Sequence, residues 1–376
     1  MTLRTPRKIL TVNPAPKVSI VVLTYNGLKE VTRPCLESVL RNTPAGQYEL
    51  IVVDNASADG TPNYLASLAA THPHIRLQLN SVNKGYAGGN NDGIKLATGD
   101  VVILLNNDTL LPPGWLPALL RLFNVDRRIG LVGPVTNSAG NEQRIELDGM
   151  NEANYEAVAR QYAERQKGVW FTTDRLGFFC VAIQRRVIDR IGHLDEDFGL
   201  GMFEDDDFCL RARQAGFVLA VAEDCFVYHK GSVSFGKLAS QKYRDLFNHN
   251  LGLYAAKHGT TWSMAEIALA YWEKLGKDLD VMRRRPNTPM AEAALERIAV
   301  RWENLRHVLV QVHGAGLSAS EPSLKAPPIL LRSRRQTRWF NFRRQVVRGT
   351  WPERVRYLRY VGRQLFARIG RFLPRR

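Results

Sequence analysis

Cysteine is scarce in this sequence. The 376 residues contain four, and Cys35, Cys180, Cys209 and Cys225 form no CxxC pair and no metal-ligand spacing. A disulfide framework and a zinc ribbon are thereby excluded, and a reducing compartment is expected. No run of about 18 apolar residues occurs, so no membrane-spanning helix is expected. The opening MTLRTPRKILTVNPAPK is basic but lacks the apolar core of a signal peptide, which predicts a cytoplasmic protein. No GxGxxG fingerprint and no internal repeat is present. Acids are missing from one region above all. Residues 331–376 contain fifteen Arg, no Lys and a single acid, Glu353, and so hold a net +14 of the chain's +16. The other 330 residues carry only +2, which counts against a nucleic-acid-binding body.

What is present describes a globular α/β protein. Hydrophobic residues make up 45% and charged residues 23%, enough for a sizeable core. Continuous apolar runs at 18–24 (VSIVVLT), 48–54 (YELIVVD), 75–80 and 101–105 (VVILL) read as strands, separated by helical stretches at 28–42, 61–70 and 85–97. Strands of this kind, buried on both faces, belong to a mostly parallel central sheet with flanking helices. Residues 137–169 read as loops with a short helix. Further strands are expected at 176–183, 217–222 and 226–228, and short helices at 186–191 and 206–215. The predicted organisation is a leader (1–17), a catalytic domain (18–236), a helical extension (237–313), a Ser/Pro/Gly-rich linker (314–330) and the arginine tail (331–376).

In a parallel sheet, ligands sit at the carboxyl ends of the strands. The residues there are Thr24-Tyr25-Asn26, Asp54-Asn55, Asn80 to Lys84, and Asn106-Asn107-Asp108. A carboxylate directly after a buried strand can share a hard divalent cation with a diphosphate, although Asn and Asp also end strands as ordinary turns. Glu204-Asp205-Asp206-Asp207 opens a helix, where the macrodipole favours acids. Four in succession exceed what capping needs, and one could act as a general base. His229 follows a strand-like FVY. The glycines of NKGYAGGNN would let backbone approach a nucleotide.

Seven segments occur in a fixed order: VSIVVLTYNG, IVVDNASADGT, NKGYAGGNNDGI, VVILLNNDT, GFFCVAIQRRVIDRIGHLDEDFG, FEDDDFCLRARQAGF and YHKGSVSF. Together they resemble family 2 glycosyltransferases of the GT-A fold, in particular the rhamnosyltransferase-like branch. The resemblance implies an inverting, metal-dependent transferase that moves a sugar from a nucleotide-sugar onto a glycan or polyprenyl-linked acceptor hydroxyl in cell-envelope polysaccharide synthesis. The donor it favours is dTDP-rhamnose, with UDP-sugars next. Asp108 stands where the family holds Mn²⁺ or Mg²⁺, with Asn106 in the place of the first acid and His229 matching a further ligand. Asp205 matches the catalytic base, with Glu204 and Asp207 as supporting acids. Thr24, Tyr25, Asn26, Asp54, Asn55 and Asn83 would line the nucleotide pocket, and Arg175, Gly177 and Phe178 would face the acceptor.

The tail adds Val355, Leu358, Val361, Leu365, Phe366, Ile369 and Phe372 at three- and four-residue spacing between arginines. A basic amphipathic helix of this kind is expected to lie on an anionic membrane surface, here the inner face of the cell membrane. Docking on the body or on a second copy is the competing expectation. Asn106 in place of an acid keeps a non-catalytic nucleotide-sugar-binding scaffold as the alternative. A nucleotidyltransferase is disfavoured because LTYNGLKE is no triphosphate loop.

Overall fold

The computed structural model describes residues 17–231, apart from 45, 146 and 148, and residues 240–259. All of them fall within one compact unit, Met1–Trp262. The expected helices beyond residue 259, the linker and the arginine tail lie outside the described residues.

Among the described residues ten strands form: β1 (Val18–Thr24), β2 (Tyr48–Asp54), β3 (Ile75–Leu79), β4 (Val101–Asn106), β5 (Thr109–Leu110), β6 (Ile129–Val135), β7 (Trp170–Thr173), β8 (Cys180–Gln184), β9 (Val218–Phe226) and β10 (Tyr228–His229). Eight of them make one sheet in the order β3-β2-β1-β4-β8-β6-β9-β7. The predicted α/β architecture is what forms, and its four leading strands are parallel and adjacent. Both faces are buried, by alternate residues of the same strands. Val18, Ile20 and Val22 of β1 face one apolar layer with Leu50 and Val52 of β2. Val21 faces the other with Ile51 and Val53.

The helices are α1 (Arg33–Asn42), α2 (Thr61–Thr71), α3 (Gly85–Leu96), α4 (Trp115–Leu120), α5 (Tyr155–Arg165), α6 (Arg185–Ile191), α7 (Glu204–Gln214) and α8 (Ser240–His258). The glycines of α3 serve packing. A Cβ on Gly89 would lie 2.4 Å from Leu23 Cδ1, and one on Gly93 would lie 2.2 Å from Val21 Cγ1. Their absence of side chain lets α3 close onto β1.

The second half of the sheet departs from expectation. β8 runs antiparallel to β4 and β6, and β7 antiparallel to β9, so three of the seven pairings are antiparallel. The run expected as a strand over 176–183 pairs only from Cys180 onwards. Upstream, the Leu176 amide turns to Cys209 Sγ and the Gly177 amide donates to Gln143 Oε1, which takes both out of the ladder. Residues 217–222 and 226–228 do not form two strands of the main sheet. β9 is continuous, and β10 pairs with β5 in a separate two-stranded ribbon.

Candidate active site

Register builds one edge of the site. Thr24 lies opposite Asp54, Asp54 opposite Leu79, and Leu23 opposite Asn106, so the carboxyl ends of β1 to β4 finish level. Asp54 is buried, and its carboxylate accepts from Thr24 Oγ1 (2.9 Å), Ser57 Oγ (2.6 Å) and the Ser57 amide (2.9 Å). Ser57 Oγ in turn accepts from the Asn26 amide at 2.7 Å, and Asn26 Oδ1 accepts from the Ala58 amide at 2.8 Å. The loops after β1 and β2 are thereby bound into one rim, on which Tyr25 is exposed. Asn55 is buried and spends its amide on Asn83 Oδ1 (2.8 Å) and Gly85 O (2.9 Å), while its oxygen accepts from the Lys84 amide (3.1 Å). Asn55 and Asn83 thus shape the loop before α3.

The second part is the Asp108–His229 pair. β5 and β10 hold Thr109 opposite His229, and the Lys230 amide donates to the Asp108 carbonyl at 2.9 Å. Asn137 clamps the His229 backbone on both sides, donating to its carbonyl and accepting from its amide, each at 2.9 Å. The imidazole stacks on Phe179, ring centres 5.0 Å apart. His229 Nδ1 lies 2.8 Å from the Ser138 carbonyl, which can only accept, so the proton of a neutral ring is assigned to Nδ1. Nε2 then faces Asp108 Oδ1 at 3.2 Å. That oxygen is buried and has no aligned hydrogen-bond donor among the described residues. A neutral imidazole would set a lone pair against a carboxylate here, so the gap calls for a positive charge, either a second proton or a metal ion. Burial lowers the His229 pKa, but the hydrogen bond and charge of Asp108 together with the Ser138 carbonyl outweigh it, and the pKa is raised. The donor set, one carboxylate oxygen and one imidazole nitrogen, fits Mn²⁺ or Mg²⁺. Among the described residues no cluster of three or more His, Cys, Asp or Glu is placed to hold an ion. Asn106 lies at the end of β4, with its backbone amide on Phe179 O at 2.9 Å.

The third part is the acidic run at the start of α7. It is entered through Gly201, Met202 and Phe203, all at positive φ (141°, 77° and 75°). A left-handed non-glycine residue costs about 1–3 kcal/mol and persists only where its surroundings hold it. Glu204 is buried and its Oε2 has no partner among the described residues; burial, then the charge of Asp205, pushes its carboxyl well above the ordinary range. Burial also raises Asp205, while Arg175 and the backbone of Asp206 and Phe178 pull it back. Both carboxyls are raised, Glu204 the more strongly, and Asp205 alone of the two has the Arg175 charge to hold it back.

The other two acids have different partners. Asp206 takes Arg175 in a two-point ion pair, Nε–Oδ1 2.6 Å and NH2–Oδ2 3.2 Å. Arg175, expected on the acceptor side, has its guanidinium engaged by this carboxylate. Asp207, expected as a supporting acid, is fully buried and meets Arg211 (2.7 Å), Lys257 (2.6 Å) and His258 (2.8 Å), the last two on α8. It ties two helices together.

Tyr86 joins the parts and was not singled out from the sequence. It lies in the NKGYAGG segment, and its hydroxyl donates to Phe178 O at 2.6 Å. Burial raises its pKa far above normal, with further contributions from the charges of Glu204, Asp205 and Asp108, so its phenol sits within the field of both acidic sets. Ser57, Asn137 and Ser138 were likewise missed. Ser57 stood in a quoted motif (DNASADGT), but nothing in its spacing announces its contact with Asp54.

Residues 19–192 match the family described as Glycosyl transferase family 2. The uncharacterised protein y4gI of Sinorhizobium fredii is 27% identical over 268 residues, which cover 67% of this chain and 28% of that protein. Chondroitin synthase of Escherichia coli is 25% identical over 279 residues, covering 72% of this chain and 38% of that enzyme. The chain thus spans well under half the length of either relative. Among solved structures, GalNAc-T7 with UDP, GalNAc and Mn²⁺ aligns at 16% identity and a TM-score of 0.47, over 57% of this chain and 44% of that one. With its α/β sheet and its ordered motifs, the chain is similar to glycosyltransferase family 2 over the matched segment, from β1 through α6.

Proposed function

We propose that the protein transfers a sugar from a nucleotide-sugar donor to an acceptor hydroxyl by one in-line displacement, with inversion at the anomeric carbon. The observation that carries this reading is the buried Asp108 Oδ1 facing His229 Nε2 at 3.2 Å, level with the strand ends that hold Thr24 and Asp54. A divalent cation bound by these two residues would neutralise the departing diphosphate. Asp108 and His229 orient that charge, Phe179 and Ser138 fix the imidazole plane, and the rim of Tyr25, Asn26 and Asp54 receives the nucleoside. Asp205, kept ionised beside a protonated Glu204, accepts the proton of the acceptor hydroxyl as it attacks. The favoured donor is dTDP-rhamnose, with UDP-sugars next, and the acceptor a glycan or polyprenyl-linked sugar. The arginine tail places the protein on an anionic membrane surface.

The test is a calorimetric titration of the full chain with dTDP, UDP and GDP, each with and without Mn²⁺ or Mg²⁺. Metal-dependent binding of one nucleotide, lost in Asp108→Ala, is the expected result. Failure of all three to bind the folded protein in the presence of metal would refute the reading.

A further inference from the structure

Helix α8 lies outside the segment that matches the family, yet one of its faces reaches the acidic run. Phe247, Asn250, Leu251, Tyr254, Lys257 and His258 follow one another at three- and four-residue steps, which places them on a single side of the helix. That side covers the turn leading into α7. Asn250 is completely buried, and its side-chain amide donates to three carbonyls of the turn: Phe198 O at 2.9 Å, Gly201 O at 2.8 Å and Met202 O at 3.1 Å. Phe203 is buried between Phe247 and Tyr254, with ring centres 5.2 and 5.8 Å away. At the far end, Lys257 and His258 hold Asp207. The segment between these anchors contains the two left-handed residues, Met202 and Phe203, and then Glu204 and Asp205.

Carbonyls of a left-handed turn have no helical or sheet partners of their own, and buried they must find donors. Here one side chain supplies them. We propose that α8 is a brace for the acid-bearing turn and that Asn250 is a positioning residue, which acts through Met202 and Phe203 to fix where Asp205 stands. The proposal rests on the transferase reading for its kinetic consequence, but its structural half stands apart from that reading.

The test uses the full chain with UDP-glucose, UDP-N-acetylglucosamine, dTDP-rhamnose and GDP-mannose as donors, nucleotide release as the assay, and amide exchange over residues 198–207 as the second readout. Asn250→Ala is expected to speed exchange at 201–207 and to lower kcat about ten- to a hundredfold, the scale of a misplaced reacting group. The KM for the donor is expected to stay within about twofold. Glycine adopts positive φ without strain, so Met202→Gly in the Asn250→Ala background is expected to recover most of the lost kcat. A general loss of stability would instead speed amide exchange throughout the domain and not at 201–207 alone. Asn250→Ser, which keeps one donor, replaces Asn250→Ala if the latter does not fold. Unchanged exchange together with unchanged kcat overturns the proposal, as does a loss confined to KM or one that Met202→Gly fails to relieve. Should the wild-type protein release nucleotide from none of the donors, the transferase reading fails. The exchange measurement then decides the brace alone: faster exchange upholds it and unchanged exchange overturns it.

Discussion

Replacing Arg175 with Met separates the role the structure gives this residue from the one its sequence position suggested. The guanidinium is 21% exposed and Asp206 is 10% exposed, and they meet at 2.6 and 3.2 Å. Removing one partner of a largely buried pair leaves the other charge without compensation and costs about 3–5 kcal/mol. The lower end, about 3 kcal/mol, applies here because the pair keeps some contact with water. A domain of ordinary stability stays folded after such a loss, and urea denaturation reads it directly. Adding Asp206→Asn removes the stranded charge, so the double variant is expected to regain most of the stability. If Arg175→Met lost less than about 1 kcal/mol, or if the double variant were no more stable than the single one, the pair would not be the structural element described.

The same substitution has a kinetic signature. Arg175 holds the Asp205 pKa down against burial. Without that positive charge the pKa, already above the ordinary aspartate value, rises further. A smaller fraction of Asp205 is then ionised at a given pH, so the acid limb of kcat/KM moves to higher pH and the rate recovers as pH increases. A loss uniform across pH, or one confined to the KM of the acceptor, would refute this argument and return Arg175 to the acceptor-binding role.

Asp205→Asn is expected to leave nucleotide binding nearly intact by calorimetry while turnover falls about two to four orders of magnitude; near-normal turnover would shift the role to Glu204. For the metal-free protein, the raised His229 pKa makes the Asp108–His229 pair stabilising below about pH 6.5, its unfolded value, and that stability is lost as pH rises through the folded value. His229→Phe preserves the ring over Phe179 but cannot titrate, so its melting temperature is expected to lack this component of the pH dependence. Gly93→Ala places a methyl 2.2 Å from the stiff Val21 side chain and is expected to cost about 1–3 kcal/mol in urea denaturation. Deleting residues 331–376 is expected to move the protein from the membrane to the soluble fraction while turnover on a soluble acceptor survives; unchanged fractionation would refute the membrane role of the tail.

The parallel half of the sheet was legible because β1, β2 and β4 are unbroken apolar runs, and burial on both faces demands such runs. The other half was not. Leu176–Phe179 is as apolar as a strand, but the Leu176 and Gly177 amides are taken by Cys209 and Gln143, partners that no local pattern announces. β7 is four residues long and partly exposed, and β5 and β10 are two residues each, too short for periodicity to register. In the site, Asp108 and His229 are far apart in sequence, and only the family resemblance suggested that they act together. Asn250 gave no sign at all, since its three acceptors are backbone carbonyls some fifty residues upstream.

The run Glu204-Asp205-Asp206-Asp207 shows most clearly why composition could not assign roles. A helix turns about 100° per residue, so four successive side chains leave it in four directions. Asp206 meets Arg175, and Asp207 meets Arg211, Lys257 and His258. Each of these two is offset by cations and contributes to how the helix is held. Glu204 and Asp205 have no such direct ion pair, and they are the two whose pKa values burial raises. The cations that anchor α7 leave the first two carboxyls, buried Glu204 and half-buried Asp205, without an ion pair at its start among the described residues. Four acids in a row are one structural unit here: the later pair fixes the helix end through its ion pairs, and the earlier pair is left for the proton transfer proposed above.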